Sequence, residues 1–441
     1  MADTLESVYL NTSIGGTELD DGEQTILTTD STTRYVIKDM FVNNTTNLSN
    51  TFLELNGFNV GSLTANATGS LIIPPNSTLK IKTTDYPFTF IENFTWISNS
   101  NSAGFQIQYQ DNAGNSVGTT VEHSGSGHLY MNTDIISDVH YAPDNNGTAY
   151  LYYHTNDRNS VQRAYYWRLS DDQNGSIRNE SYKPFGLHNN KLYYFENATF
   201  KVLDLSSSPT GPSFSNFNNV SNWNGGSNSY SPYPSSSYPR GRASHGFFWH
   251  IPNSSYSNYI YAVKLEGSNA GQYYYISFPN NMSMSSNRDF VISPDETDNK
   301  LYIYRHNDSG SIYQHIINDW TAFQAVNQNS TANYSPDTNN TITTPDGNID
   351  QSSMASVQFG SLLNGGFTYR NNSYEMIELD KNGTKINETQ ASAISFDGYG
   401  HSSPNNGFWK TQRTLSQSEI TSLSLSAPTF GVQLLGIKST S

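Results

Sequence analysis

The chain has 441 residues, a formal net charge of −15, only 14% charged residues and no cysteine. With 23 Lys and Arg and no basic cluster, a phosphate-backbone binder is excluded. Without cysteine there is no disulfide framework, no thiolate nucleophile and no cysteine zinc site.

Aromatic residues reach 13%, with 30 tyrosines. A disordered acidic chain has few aromatics and many charges, so the composition predicts a folded all-β protein with a polar surface. The length is enough for two or more domains. No apolar run is long enough to cross a membrane as a helix, so no membrane insertion is expected. The opening MADTLESVYLNTS lacks a basic and an apolar region. It predicts no classical signal peptide, and hence an intracellular chain or one released by a route such as virion exit.

Residues 1–125 read as a β-sandwich of jelly-roll type. Arg34–Asn43 alternates between two faces, and Thr51–Leu55, Thr78–Lys82, Thr89–Ile97 and Phe105–Gln110 follow as short strands between Asn, Gly and Pro turns. The order Arg34-Tyr35-Val36-Ile37-Lys38-Asp39, Asn43-Asn44-Thr45-Thr46 and Ile73-Pro74-Pro75-Asn76-Ser77-Thr78-Leu79-Lys80-Ile81 resembles a small β-sandwich module of tailed-virus tail-fibre and capsid-attached proteins. The resemblance covers about the first quarter of the chain and carries no catalytic residue. It implies attachment or assembly: docking to other virion proteins, and a place on the virion exterior. It also implies a homo-oligomer, a trimer being common among viral fibres.

Asp111–Gly127 is rich in Gly, Ser and Asn and reads as a linker, with the boundary near residue 125. From 126 to 441 an aromatic hairpin recurs. Tyr150–His154, Lys191–Phe195, Gly246–His250, Lys300–Tyr304, Gly366–Tyr369 and Gly407–Lys410 are first strands. Five are followed by a second strand. Aligning Tyr152, Tyr193, Phe248, Tyr302, Phe367 and Phe408 gives steps of 41, 55, 54, 65 and 41 residues. Such periods, with strands apolar on both faces, predict a β-propeller, for which six blades fit best and five or seven remain open. The other reading is an irregular pair of Tyr-rich sandwiches. Gln433–Lys438 is a candidate closing strand.

Two long loops interrupt the repeat, at 206–240 and 327–353. The first is dominated by Ser, Asn, Gly and Tyr, the residues binding loops use, and runs into a cationic segment. The candidate receptor- or glycan-binding residues are therefore Trp223, Tyr230, Tyr233, Tyr238, Arg240, Arg242, His245 and Trp249. A plain surface loop is the alternative.

Catalytic and metal signatures are missing: no Gly-x-Ser-x-Gly, His-Glu-x-x-His, P-loop or dinucleotide fingerprint occurs. No catalytic residue, metal or cofactor is assigned. Asp134, Asp138 and His140 would share a strand face but read better as a solvated strand end. Asp144–Gly147 and Asp380–Gly383 have a calcium-loop flavour but read as hairpin turns. Carboxylates paired for glycoside hydrolysis need not be close in sequence and stay open.

Sequons are the last signal. With 52 Asn and 100 Ser plus Thr, chance predicts about 12 Asn-x-Ser/Thr sites, and 21 are present. Turn chemistry accounts for part of the excess; selection for glycosylation is the other reading. The expected function is a non-enzymatic virion attachment protein that binds a host surface glycan or protein. A decoration, turret or tail-scaffold subunit without receptor role is the first alternative, and a glycan-active propeller enzyme the second.

Overall fold

The computed structural model describes residues 39–44, 51–53, 71–73, 77–83, 90–425 with breaks, and 432–439. The breaks are 99–101, 111–115, 127–134, 157–160, 182–184, 197–198, 211–217, 221–239, 252–257, 283–289, 307–311, 328, 347–358, 372, 374, 397–398, 401–406 and 424. The chain divides into two compact units. The first joins Met1–Tyr86 to Thr429–Ser441, and the second is Pro87–Pro428.

In the first unit, Ser77–Thr83 pairs antiparallel with Asp39–Asn44 on one side and with Val432–Ser439 on the other. Thr51–Leu53 pairs with Leu71–Ile73. Most of the expected sandwich lies outside the described residues.

The second unit is a six-bladed β-propeller, each blade built on an antiparallel sheet of four strands, to which blade three adds a fifth, parallel one. Blade one runs from its innermost strand Ile135–Pro143 through Ala149–Asn156 and Val161–Arg168 to Gln173–Ser181. Blades two to five repeat the order, with innermost strands Phe185–His188, Arg240–Ser244, Phe290–Asp295 and Phe359–Ser361. Blade six is composite: Gly407–Thr414 is innermost and pairs with Ile91–Ser98, which leads to Ser102–Gln110 and Val121–Ser126. The ring is closed by strands from opposite ends of the unit.

These pairings correct four expectations. Thr89–Ile97 and Phe105–Gln110 belong to the propeller, so the unit boundary falls at Tyr86/Pro87 instead of near 125. Gly407–Lys410 is not a counterpart of Tyr150–His154 but an innermost strand; the true counterpart in blade six is Ile91–Ser98. Gln433–Lys438 closes no blade and pairs in the first unit. The stretch from 327 is not simply a loop. Asn329–Tyr334 runs parallel to Tyr273–Ser277 as a fifth strand of blade three, and Thr338–Ile342 is the outer strand of blade four.

The two-faced aromatic strands explain the ring. In Ala149–Asn156, Leu151 and Tyr153 pack toward blade six, while Tyr150 and Tyr152 pack toward blade two. In Lys191–Glu196, Leu192 and Tyr194 face blade one; Tyr193 and Phe195 face blade three. Adjacent side chains on a strand point to opposite faces, so a sheet stacked between two others needs apolar residues at every position. The seams also carry hydrogen bonds. Trp409 Nε1 donates to Phe359 O at 2.6 Å, and Thr411 Oγ1 donates to Ser361 O at 2.9 Å.

At the seam between blades five and six the backbones approach closely. A Cβ on Gly360 would lie 1.6 Å from the carbonyl oxygen of Lys410. Backbone must move to accept it, so Gly360→Ala is expected to cost about 1–3 kcal/mol or more. Urea unfolding measures it, and an unchanged midpoint would contradict this packing.

Candidate functional site

The innermost strands surround a central cavity of about 370 Å³. Each blade contributes: His140, His188, Arg242 with Ser244, Val291 with Ile292, Ser361, and Trp409 with Thr411 to Thr414. The cavity reaches the end of the channel where innermost strands turn into second strands, and tight turns place its polar groups. Asn189 and Asn190 both have positive φ, 46° and 60°, as do His245 and Gly246, 53° and 79°. Paired left-handed residues are the mark of a type I′ hairpin, whose twist matches the strands. Asn and Gly favour this region; His at 245 is less usual there.

An ion triad fills one side. Arg413 Nε donates to Glu92 Oε1 at 2.8 Å, and its NH1 donates to Glu419 Oε1 at 2.6 Å. Glu419 opens the helix Gln417–Ser422, and its other oxygen accepts from the Ser416 backbone N–H at 2.9 Å in a capping box. Glu92 is 4% exposed and Glu419 7%. Burial pushes the Glu92 pKa up, against the pull of Arg413. Burial works the same way on Glu419, but Arg413 and His140 outweigh it and hold the carboxyl at about 2.

The imidazoles of His140 and His245 are neutral. His140 is buried, its Nε2 accepts from the Asn190 backbone N–H at 2.8 Å, and burial holds its pKa near 3. The accepting Nε2 places the ring proton on Nδ1. His245 is also pushed down to about 3, by burial and then by Arg413 and His188.

Opposite, Glu266 receives His188 Nε2 at 3.8 Å, Lys191 Nζ at 3.3 Å and Asn189 Nδ2 at 3.0 Å. The His188 contact leads in lowering its pKa to about 2. Arg242 is 6% exposed, with its guanidinium 5.7 Å from the Phe290 ring centroid. Lys264 Nζ donates to Gln324 O at 3.1 Å and sits 4.8 Å from the Phe247 ring centroid. At neutral pH the cavity is nearly balanced in charge and dense in fixed donors and acceptors.

Of the residues singled out from sequence, Arg242 and His245 line this cavity. Trp249 does not: it is fully buried between blades three and four, and its Nε1 donates to Ser244 O at 2.9 Å. No ligand ring can stack on it. Arg240 starts the innermost strand of blade three. Trp223, Tyr230, Tyr233 and Tyr238 lie outside the described residues, as does Asp134. Glu92, Arg413 and Glu419 carried no recognised signal, because Glu92 lies over 300 positions from the other two. Only the Ser416-Gln417-Ser418-Glu419 spacing, in the form of a helix-start box, was there to be read.

The two calcium-like segments are twin hairpins. Asp144 Oδ1 accepts from the N–H groups of Asn146 and Thr148, and Asp380 Oδ1 accepts from those of Asn382 and Thr384. Both glycines have φ of 82°. Among the described residues no group of three His, Asp or Glu is placed to hold a metal ion, and no helix is long and apolar enough to cross a membrane.

No family model matches the chain, and no curated protein matches it. Solved structures similar to it include an Aleuria aurantia lectin in complex with α-methyl-L-fucoside, at 8% identity and TM-score 0.36, covering 70% of this chain and 97% of the lectin. A putative 6-phosphogluconolactonase from Bacteroides uniformis matches at 12% identity and TM-score 0.33, covering 68% and 82%. Likenesses this distant accompany several activities and decide none of them.

Proposed function

We propose that the chain is a non-enzymatic virion surface protein whose propeller binds a host glycan in the central cavity. The cavity carries this reading. It is of ligand size, rigidly framed by six sheets, and lined by neutral imidazoles, guanidinium groups and carboxylates. Such a lining suits the hydroxyl groups of a sugar better than an apolar or highly charged ligand.

Arg413 speaks against a glycoside hydrolase. It sits between Glu92 and Glu419, two carboxyls of the cavity lining, and bonds to both. Hydrolysis needs that space for a glycosidic oxygen or water. Imidazoles with pKa near 3 also make poor general acids at neutral pH. The virion placement, with other virion proteins as partners of the first unit, rests on the resemblance of residues 34–81.

A glycan array with the purified chain tests the proposal, followed by titration of any hit against His245→Asn and Arg242→Ala. Asn suits the left-handed turn at 245, so that variant keeps its fold while losing the imidazole. Both variants are expected to weaken binding by tenfold or more, with melting curves as the control. An array without binding overturns the glycan reading. A hit that both variants bind unchanged moves the site out of the cavity.

A further inference from the structure

The sequon excess is not spread evenly over the propeller. Outermost strands are Gln173–Ser181, Asn218–Asn219, Thr338–Ile342, Lys385–Gln390 and Val121–Ser126, with Asn329–Tyr334 added outside blade three. Seven sequon asparagines fall on them: Asn174, Asn179, Asn219, Asn329, Asn333, Asn339 and Asn387. Random placement of 21 over the chain would put about two there. The six innermost strands have nearly the same total length and carry none. Only the outermost strand of blade six, Val121–Ser126, lacks one.

Turn chemistry does not explain asparagines within strands, where Asn is disfavoured. An acceptor function does, because the outer edge is the part of a blade an enzyme can reach. In blade five, Lys385–Asn387 and Glu388 are exposed, and Ile386 beside Asn387 is 60% exposed, unusual for a large apolar side chain. An open edge with an exposed Ile invites pairing with another chain. The hairpin that leads into the outermost strand of blade five adds Asn382, exposed at its turn.

We propose that the propeller is N-glycosylated along its outer edges, with Asn387 and Asn382 as principal acceptors. The co-reactant is a lipid-linked oligosaccharide diphosphate of the producing cell. The Asn amide nitrogen forms a C–N bond to the anomeric carbon of the donor as the C–O bond to the lipid diphosphate breaks. The amide proton passes to a base of the transferase, and no electron is exchanged. The glycans would hold the edges apart, whatever the cavity binds.

Two sequons serve as internal controls. Asn93 sits within blade six, with Nδ2 donating to Gln110 Oε1 at 3.0 Å and Oδ1 accepting from Gln412 at 2.6 Å. Asn371 is 3% exposed and donates to Glu375 at 2.6 Å.

Glycopeptide mass spectrometry on the protein isolated from its natural source decides the matter. Trypsin separates Asn382 from Asn387 at Lys385 and releases Asn371 after Arg370, and chymotrypsin divides the long fragment between Lys82 and Arg158 that carries Asn93. Sugar-bearing peptides are expected at Asn382 and Asn387, with Asn93 and Asn371 unmodified. Unmodified peptides at both acceptors overturn the proposal. So does equal occupancy at Asn93 and Asn371, which would detach modification from the blade edge.

Discussion

Replacing Arg413 with alanine is expected to destabilise the propeller by about 3–5 kcal/mol, the cost of leaving a buried charge without its partner. Two such charges are stranded here. Glu92 and Glu419 both keep less than a tenth of their surface in water, and Arg413 bridges them at 2.8 and 2.6 Å. Their place in the chain enlarges the effect. Glu92 is on the strand after the unit's start, Arg413 on the strand that closes the ring, and Glu419 in the helix just beyond. The triad therefore pins the closing strand to its partner strand and to the helix that follows it. Arg413→Lys keeps a charge but loses the forked geometry, so it should fall between the wild type and the alanine variant.

The pH dependence gives a second readout. In the wild type Glu419 titrates at about 2 in the folded state, below its ordinary value of 4.5. Its contribution is thus present above pH 4.5 and is lost as pH falls toward 2. Glu92 is shifted upward, so its ionisation has the opposite sign and offsets part of that loss. Without Arg413 both carboxyls would titrate high in the folded state. Protonation then favours folding, and the gap between variant and wild type should narrow from pH 7 to pH 4. Urea midpoints at the two values measure this. A gap that is constant, or wider at pH 4, would sink the assignment of the cost to stranded carboxylates.

What could be read in advance follows from burial. Strands such as Phe247–Ile251 are buried at every position, because two neighbouring blades cover both faces. That produces a continuous aromatic run, and the runs gave away the repeat and five of the blades, the sixth having been counted on Gly407–Lys410, an innermost strand. Innermost strands face a polar channel on one edge, and Arg240–Ser244, read as Arg-Gly-Arg-Ala-Ser, resembles the end of a cationic loop. Outer strands resemble loops even more: Gln173–Ser181 carries one apolar residue, Ile177. Ring closure was hidden for another reason. Thr89–Ile97 has the alternation any sheet could use, and its partner Gly407–Thr414 lies more than 300 residues away. The cavity was half legible. Arg242 and His245 stood out by charge in an acidic chain, whereas Glu92 and Glu419 become notable only once Arg413 is brought between them.

Trp249→Ala should separate structural from binding aromatics, with an expected stability loss of about 3–5 kcal/mol. The indole is fully buried. It stacks on Phe323 at 5.8 Å between centroids with planes 5° apart, and lies 5.4 Å from Phe247. It shares its cluster with Ile292, Leu301 and Ile303 of blade four, so truncation opens a void at the seam between two rigid sheets. Neither sheet can collapse into that void without breaking its other seam, which places the cost toward the upper end of such substitutions. It also removes the hydrogen bond from Nε1 to the carbonyl of Ser244, the residue beside His245. Trp249→Phe keeps most of the volume and should recover more than half of the loss. Melting temperature should fall by several degrees in the alanine variant. Ligand affinity measured well below that melting point should stay within about threefold of wild type, because one hydrogen bond to the turn is worth only about 0.5–1.5 kcal/mol. A variant that melts normally but loses binding would return Trp249 to the surface and undo the placement of the site in the central cavity.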